Sequence, residues 1–163
     1  CFHLSRRWAP GATGRRGSVI TALDTNVLLD VLLGDREHGR ASQAALREAY
    51  DAGGLVACEV VWAEVATFFP TVLEADQALD QLGVRFVPLD RADALEAASR
   101  WSQFLSQGER EPRRIVADFL IGAHALGHAD LLLTRDRGFY GLAFRGLKVA
   151  DPTGKGRSRE EAS

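Results

Sequence analysis

The sequence contains no methionine and only two cysteines, Cys1 and Cys58, which lie far apart and outside any CxxC spacing. That scarcity offers neither a disulfide framework nor a zinc ribbon, and it suits a protein of the reducing cytoplasm. Long apolar runs are also missing. The longest, such as residues 55–58 and 131–133, fall far short of the roughly 20 residues a membrane helix needs, so no membrane association is expected. Residues 1–18 lack acids altogether while carrying Arg6, Arg7, Arg15 and Arg16. They hold no apolar stretch of roughly 7 to 15 residues and so do not read as a secretory signal. Two readings of this segment follow from the missing methionine. Either Val19 is the natural start, encoded by GTG, or residues 1–18 form a disordered basic arm.

With 163 residues, 46% of them apolar, the chain suits one domain with a single core. Its formal charge of −2 is unevenly spread: residues 19–150 hold thirteen Arg and Lys against nineteen acids, a balance of −6. An acidic body excludes a protein that grips nucleic acid by bulk positive charge alone.

Hydrophobic patterning divides the chain into alternating short strands and helices. Residues 19–23 form an apolar run ending at Asp24, which reads as a buried strand. Helices follow over 25–33, stopped by Gly34, and over 39–52, stopped by Gly53-Gly54. Residues 55–58 read as a strand, 60–69 as a helix ended by Pro70, 74–82 as a helix closed by Gly83, and 84–89 as a strand. Residues 90–105 read as a helix capped by Asp90, whose carboxylate can accept from the amide of Asp93. Pro112 opens a helix that stops at Gly127; a strand follows over 131–134, helical turns over 138–144, a strand over 147–149, and a disordered tail over 152–163. Strands separated by helices need crossover connections, which implies an α/β fold with a mainly parallel sheet covered on both faces. Ligands of such sheets collect beyond the carboxyl ends of the strands, where Asp24 and Asp136 fall.

Four acids stand where a solvated surface does not put them. Asp24 directly follows a buried strand, and Asp136 comes two residues after Thr134. Glu64 shares a helical stripe with Val60, Val61 and Phe68, and Asp118 shares one with Ile115, Ile121, Gly122 and Ala125. A buried carboxylate protonates or finds a cation, and for any single acid an arginine is an adequate partner. Four converging acids are another matter, because each pair repels by about 4 kcal/mol at an effective dielectric near 20. One or two Mg²⁺ or Mn²⁺ ions would supply the counter-charge, since both prefer oxygen ligands and the set contains no Cys or His. Such a site can activate water and stabilise charge on phosphorus, which points to phosphodiester hydrolysis. Thr25, Asn26 and Thr134 are short polar neighbours suited to orienting the carboxylates, although Thr25 or Asn26 could equally cap a helix.

These segments resemble PIN-domain ribonucleases, in particular the VapC-type toxins of bacterial toxin–antitoxin pairs. The likeness runs over residues 19–151 and rests on residues 23–29 (LDTNVLL), 62–66 (WAEVA), 117–123 (ADFLIGA) and 133–140 (LTRDRGFY). It implies a Rossmann-like α/β/α sandwich, a Mg²⁺ or Mn²⁺ site held by Asp24, Glu64, Asp118 and Asp136, endonucleolytic cleavage of RNA, a homodimer, and an antitoxin that blocks the site. By the same carry-over Thr25, Asn26 and Thr134 support the acids. The long basic start departs from the compact beginning usual in such toxins.

Arg113, Arg114, Arg135 and Arg137 flank two of the acids and are candidate contacts to RNA phosphate, or neutralise nearby acids. His124 and His128 have the spacing of a helical metal pair, but no HExxH is present and His128 falls beyond the helix end expected at Gly127. Asp30, Asp35 and Glu37 read as solvated acids of a turn, and Trp62 and Trp101 as core or dimer-interface residues. Among other functions, a phosphatase with Asp24 as nucleophile is disfavoured because Asn26 stands where a second acid is expected. A flap nuclease needs more helical elements than the chain offers. A non-catalytic RNA- or protein-binding module of the same fold is the alternative.

Overall fold

The computed structural model of the chain describes residues 18–106 and 116–154. Five parallel strands form one sheet in the order β3-β2-β1-β4-β5: β1 (Val19–Leu23), β2 (Gly53–Ala57), β3 (Val84–Phe86), β4 (Leu131–Leu133) and β5 (Val149–Ala150). Seven helices flank it among the described residues: α1 (Thr25–Leu32), α2 (Gly39–Ala52), α3 (Glu59–Ala66), α4 (Val72–Gln81), α5 (Arg91–Ser106), α6 (Val116–His128) and α7 (Arg137–Ala143). The α/β class and parallel sheet are those expected from the alternation of strands and helices. None of these helices is long and apolar enough to cross a membrane.

The first strand takes the central position. β1 pairs with β2 from Val19↔Gly53 to Ala22↔Val56, and with β4 from Thr21↔Leu131 to Leu23↔Leu133. Ala22, Leu23, Leu55, Val56, Leu132 and Leu133 are buried, as strands covered by crossover helices must be. The amide of Asp24 still donates to the carbonyl of Leu133 at 3.1 Å, so the β1–β4 ladder continues up to the acid itself.

Most helix ends fall where the sequence places them. Gly34 and Gly83 follow α1 and α4 with φ of 65° and 73°, the left-handed conformation glycine adopts without penalty. Asp90 and Asp93 exchange amide-to-carboxylate hydrogen bonds of 2.9 Å at the start of α5. Several boundaries differ: α3 ends at Ala66, four residues before Pro70, α4 begins at Val72, and β5 is Val149–Ala150. Gly53 and Gly54 already belong to β2, and a Cβ on Gly53 would meet the Val19 backbone, so that glycine permits close strand pairing. β3 ends at Phe86 rather than at residue 89. α6 continues past Gly127 to His128; there a Cβ would stand 2.7 Å from Asp93 Oδ1, so the glycine makes room between helices instead of ending one. The basic segment up to residue 17, Pro112 with the expected start of its helix, and the tail from residue 155 lie outside the described residues.

Candidate metal centre

The carboxyl edge of the sheet is built around Asp24, which is 6% exposed. It is the N-cap of α1: Oδ1 accepts from the amide of Thr25 at 2.8 Å. Its other oxygen accepts from Thr134 Oγ1 at 2.6 Å and from Asn26 Nδ2 at 2.7 Å. Burial pushes the Asp24 carboxyl up to about 6 from an ordinary 3.8; the bonds from Thr134 and Thr25 oppose that rise, and the negative charges of Asp118 and Glu64 add to it. Both of those carboxylates are therefore within electrostatic reach of Asp24.

Each arrives on its own helix. Glu64 lies on α3, which packs against α1 and α6, and it accepts a very short hydrogen bond from Thr25 Oγ1. The buried stripe of α3 is Val61 and Val65, with half-buried Glu64 at its margin, whereas Phe68 is 51% exposed and so does not share that stripe. Asp118 occupies the first described turn of α6, and Ile121, Gly122 and Ala125 hold the inner face. The fourth acid, Asp136, begins α7 and is half-buried; its Oδ1 accepts from the amide of Phe139 at 3.4 Å and its own amide donates to Thr134 Oγ1 at 2.9 Å. Asp24, Glu64 and Asp118 thus form the electrostatic group, and Asp136 joins them through Thr134.

The three supporting residues make the contacts that link the acids. Thr25 bridges to Glu64, Asn26 bridges Asp24 to Thr134 and accepts from the amide of Arg135 at 3.2 Å, and Thr134 is fully buried. Neither Thr25 nor Asn26 caps the helix, because Asp24 does so itself. Arg113 and Arg114 lie outside the described residues. Arg137 is exposed, and Arg135 donates from Nε to Asp30 Oδ2 at 2.9 Å.

Asp30 corrects the reading of that acid as solvated. It is 3% exposed and accepts from Ser42 Oγ at 2.7 Å as well as from Arg135. Its signal in the sequence was a lone acid inside the apolar run Val27-Leu28-Leu29-Asp30-Val31-Leu32-Leu33.

The tightest clusters of ligating atoms among the described residues are elsewhere: Asp30, Asp35 and His38, and Asp90, Asp93 and His128, each within 4.8 Å. Hydrogen bonds account for both groups, from the His38 amide to Asp35 at 2.6 Å in one and between His128 Nε2 and Asp93 at 2.8 Å in the other. Trp62 donates to Asp76 and meets Phe86 edge-on but is only partly buried, and Trp101 stacks on Phe119 yet is 36% exposed, so neither lies in the core. A cavity of about 440 Å³ between α2 and the sheet contains none of the four acids.

The donor set fits a hard divalent cation. It is all oxygen, and its central member, Asp24, is a buried carboxyl raised first by burial and further by the charges of Asp118 and Glu64.

An open parallel sheet with Asp24 buried at its carboxyl edge, in reach of the charges of Asp118 and Glu64, defines the class: an α/β protein with acids gathered beyond its central strands. Residues 21–145 match the model of the PIN domain, and the chain belongs to that family. Its fold is shared with solved structures. VapBC2 from Rickettsia felis, bound to a promoter DNA fragment, is 15% identical with a TM-score of 0.64 over 81% of this chain and 98% of that one. FitAcB from Neisseria gonorrhoeae is 21% identical with a TM-score of 0.62 over 82% and 98%. A toxin–antitoxin complex from Klebsiella pneumoniae is 21% identical with a TM-score of 0.59 over 81% and 97%. No curated protein matches the chain in sequence.

Proposed function

We propose that the protein is a divalent-metal-dependent endoribonuclease, the toxin of a type II toxin–antitoxin pair. The observation that carries this reading is Asp24: a buried carboxyl raised to about 6 beside the charges of Asp118 and Glu64, at the carboxyl edge of a PIN-domain sheet. Asp24, Glu64, Asp118 and Asp136 would hold Mg²⁺ or Mn²⁺. When bound, such an ion supplies an acidified water and charge stabilisation at phosphorus.

The protein's own groups do the positioning. Thr134 and Asn26 fix one oxygen of Asp24 and the Thr25 amide fixes the other. Thr25 holds Glu64. The Thr134 hydroxyl also receives the Asp136 amide, which sets the start of α7 against β1. Carboxylates held in this way need little reorganisation when charge develops at the substrate. Arg135 and Arg137, and by their place in the sequence before Asp118 also Arg113 and Arg114, would meet phosphates of the RNA.

The partner reading rests on fold. Related structures are described as VapBC, FitAcB and a toxin–antitoxin complex. A small antitoxin that covers the acidic edge, a homodimer, and cytoplasmic action accord with that company. Residues 19–151 would form the nuclease domain, flanked by a basic extension and a polar tail.

The test uses partner-free protein with end-labelled total RNA in Mg²⁺ or Mn²⁺, beside EDTA and Asp118→Asn controls. Discrete fragments in the metal lanes of the unaltered protein alone support the nuclease. Metal binding without cleavage of any RNA would replace it with the non-catalytic module.

A further inference from the structure

Asp30 is a second buried acid beside the site, and the four-acid reading leaves it unused. It projects from α1, six residues beyond Asp24, and is 3% exposed. Burial of an ionised carboxylate is costly unless it is paired and hydrogen-bonded. Asp30 meets that condition: Oδ2 accepts from Ser42 Oγ of α2 at 2.7 Å and from Arg135 Nε at 2.9 Å.

Arg135 is the residue between Thr134 and Asp136. Its amide donates to Asn26 Oδ1 at 3.2 Å, and Asn26 in turn donates to Asp24. Backbone and side chain are therefore both tied to α1, the helix that Asp24 caps. The Asp30 contact uses Nε, one of five guanidinium donors. About a third of the side chain, 34%, remains in contact with solvent. A planar fork fixed through Nε is preorganised for an anion, whereas a free arginine would have to order itself on binding. In a body whose charge sums to −6, a polyanion approaching carboxylates needs such a fixed positive group at the entrance.

We infer that Asp30 is a positioning residue that presents the Arg135 guanidinium to an RNA phosphate next to the acidic centre. This rests on the nuclease reading and names how that site would hold its substrate.

Simple electrostatics predicts the opposite sign for the decisive variant. Asp30→Asn keeps the shape and the acceptor for Ser42 but removes a negative charge, so without positioning it should bind RNA as well as the parent or better. The test measures anisotropy of a fluorescein-labelled single-stranded oligoribonucleotide in Mg²⁺ across a NaCl series, with all proteins full-length and carrying Asp118→Asn to prevent cutting. Arg135→Gln is expected to weaken binding about tenfold, as loss of one charge-assisted hydrogen bond does, and to lower the salt slope by about 0.7. Asp30→Asn should weaken binding about five- to tenfold with the same fall in slope, and the double variant should be no weaker than Arg135→Gln alone. Equal or tighter binding by folded Asp30→Asn overturns the inference. Should that variant not fold, Arg135→Lys decides: it keeps the charge but lacks the fork, so weaker binding supports the role and parental binding overturns it. Cleavage by protein with Asp118 intact is scored separately. RNA bound but never cut removes the nuclease reading and leaves the positioning result standing; RNA neither bound nor cut removes both.

Discussion

Thr134 Oγ1 donates to Asp24 Oδ2 over 2.6 Å, joining the ends of β4 and β1 across 110 positions of sequence. The same oxygen accepts from the Asp136 amide at 2.9 Å and from Asn26 Nδ2 at 3.2 Å. A hydroxyl has one donor and two acceptor sites, and here all three are used. One buried side chain thus sets the spacing of two of the four acids.

Replacing Thr134 by valine keeps the branched shape and removes all three bonds. RNA cleavage by Thr134→Val should fall ten- to a hundredfold, the usual cost of losing an outer support of a metal ligand. Stability should fall by about 1–3 kcal/mol, because polar groups inside the site lose their partner. Thr134→Ser should keep most of both properties, measured by cleavage rate and urea unfolding.

Asp24 should make the metal-free protein less stable at neutral pH. Its folded carboxyl titrates at about 6 against an ordinary 3.8, so the folded state holds the proton more tightly than the unfolded one. That contribution is complete below pH 3.8 and is lost as pH rises through 6. The difference corresponds to roughly 3 kcal/mol at most. Asp24→Asn should therefore melt several degrees above the parent at pH 7.5 in EDTA, with the gap about halved near pH 5 and closed only below pH 3.8. Equal melting at both pH values would contradict the burial of an ionised group.

The same titration governs activity in the opposite direction. A proton on Asp24 competes with a cation for the carboxylate, so cleavage should fall as pH drops below about 6. Raising the Mg²⁺ or Mn²⁺ concentration should move the midpoint lower. A midpoint independent of metal concentration would place the titrating group elsewhere.

Much of this arrangement is legible in the sequence, because one acid directly follows an apolar strand run, another follows one within three residues, and two sit on helices with apolar faces. Residues 19–24 and 131–136 announce a strand and the acid beyond it. Asp30 is marked in the sequence only as a lone acid within an apolar run, because its partner Arg135 is 105 positions away and short-range pattern cannot report the pairing. The end of α6 was misplaced for a related reason. Gly127 signals a helix stop locally, yet what selects glycine there is the close approach of Asp93 from another helix.

Gly122 shows the same packing demand near Asp118. A Cβ there would meet the ring of Phe144, with Cζ at 2.5 Å, and Phe144 is fully buried and unable to step aside freely. Gly122→Ala should destabilise the fold by about 1–3 kcal/mol while metal affinity of the folded protein changes little. Thermal melting and calorimetry together check this.

The order of the strands has a consequence for how the chain is made. β1 lies in the middle of the sheet but is synthesised first, and the β4 end that carries Thr134 and Asp136 is laid beside it more than a hundred residues later. A chain still emerging from the ribosome has Asp24 without its hydroxyl partner and without the fourth acid. The acidic edge therefore closes only once β4 has been made, and a truncated product ending before β4 would lack both Thr134 and Asp136.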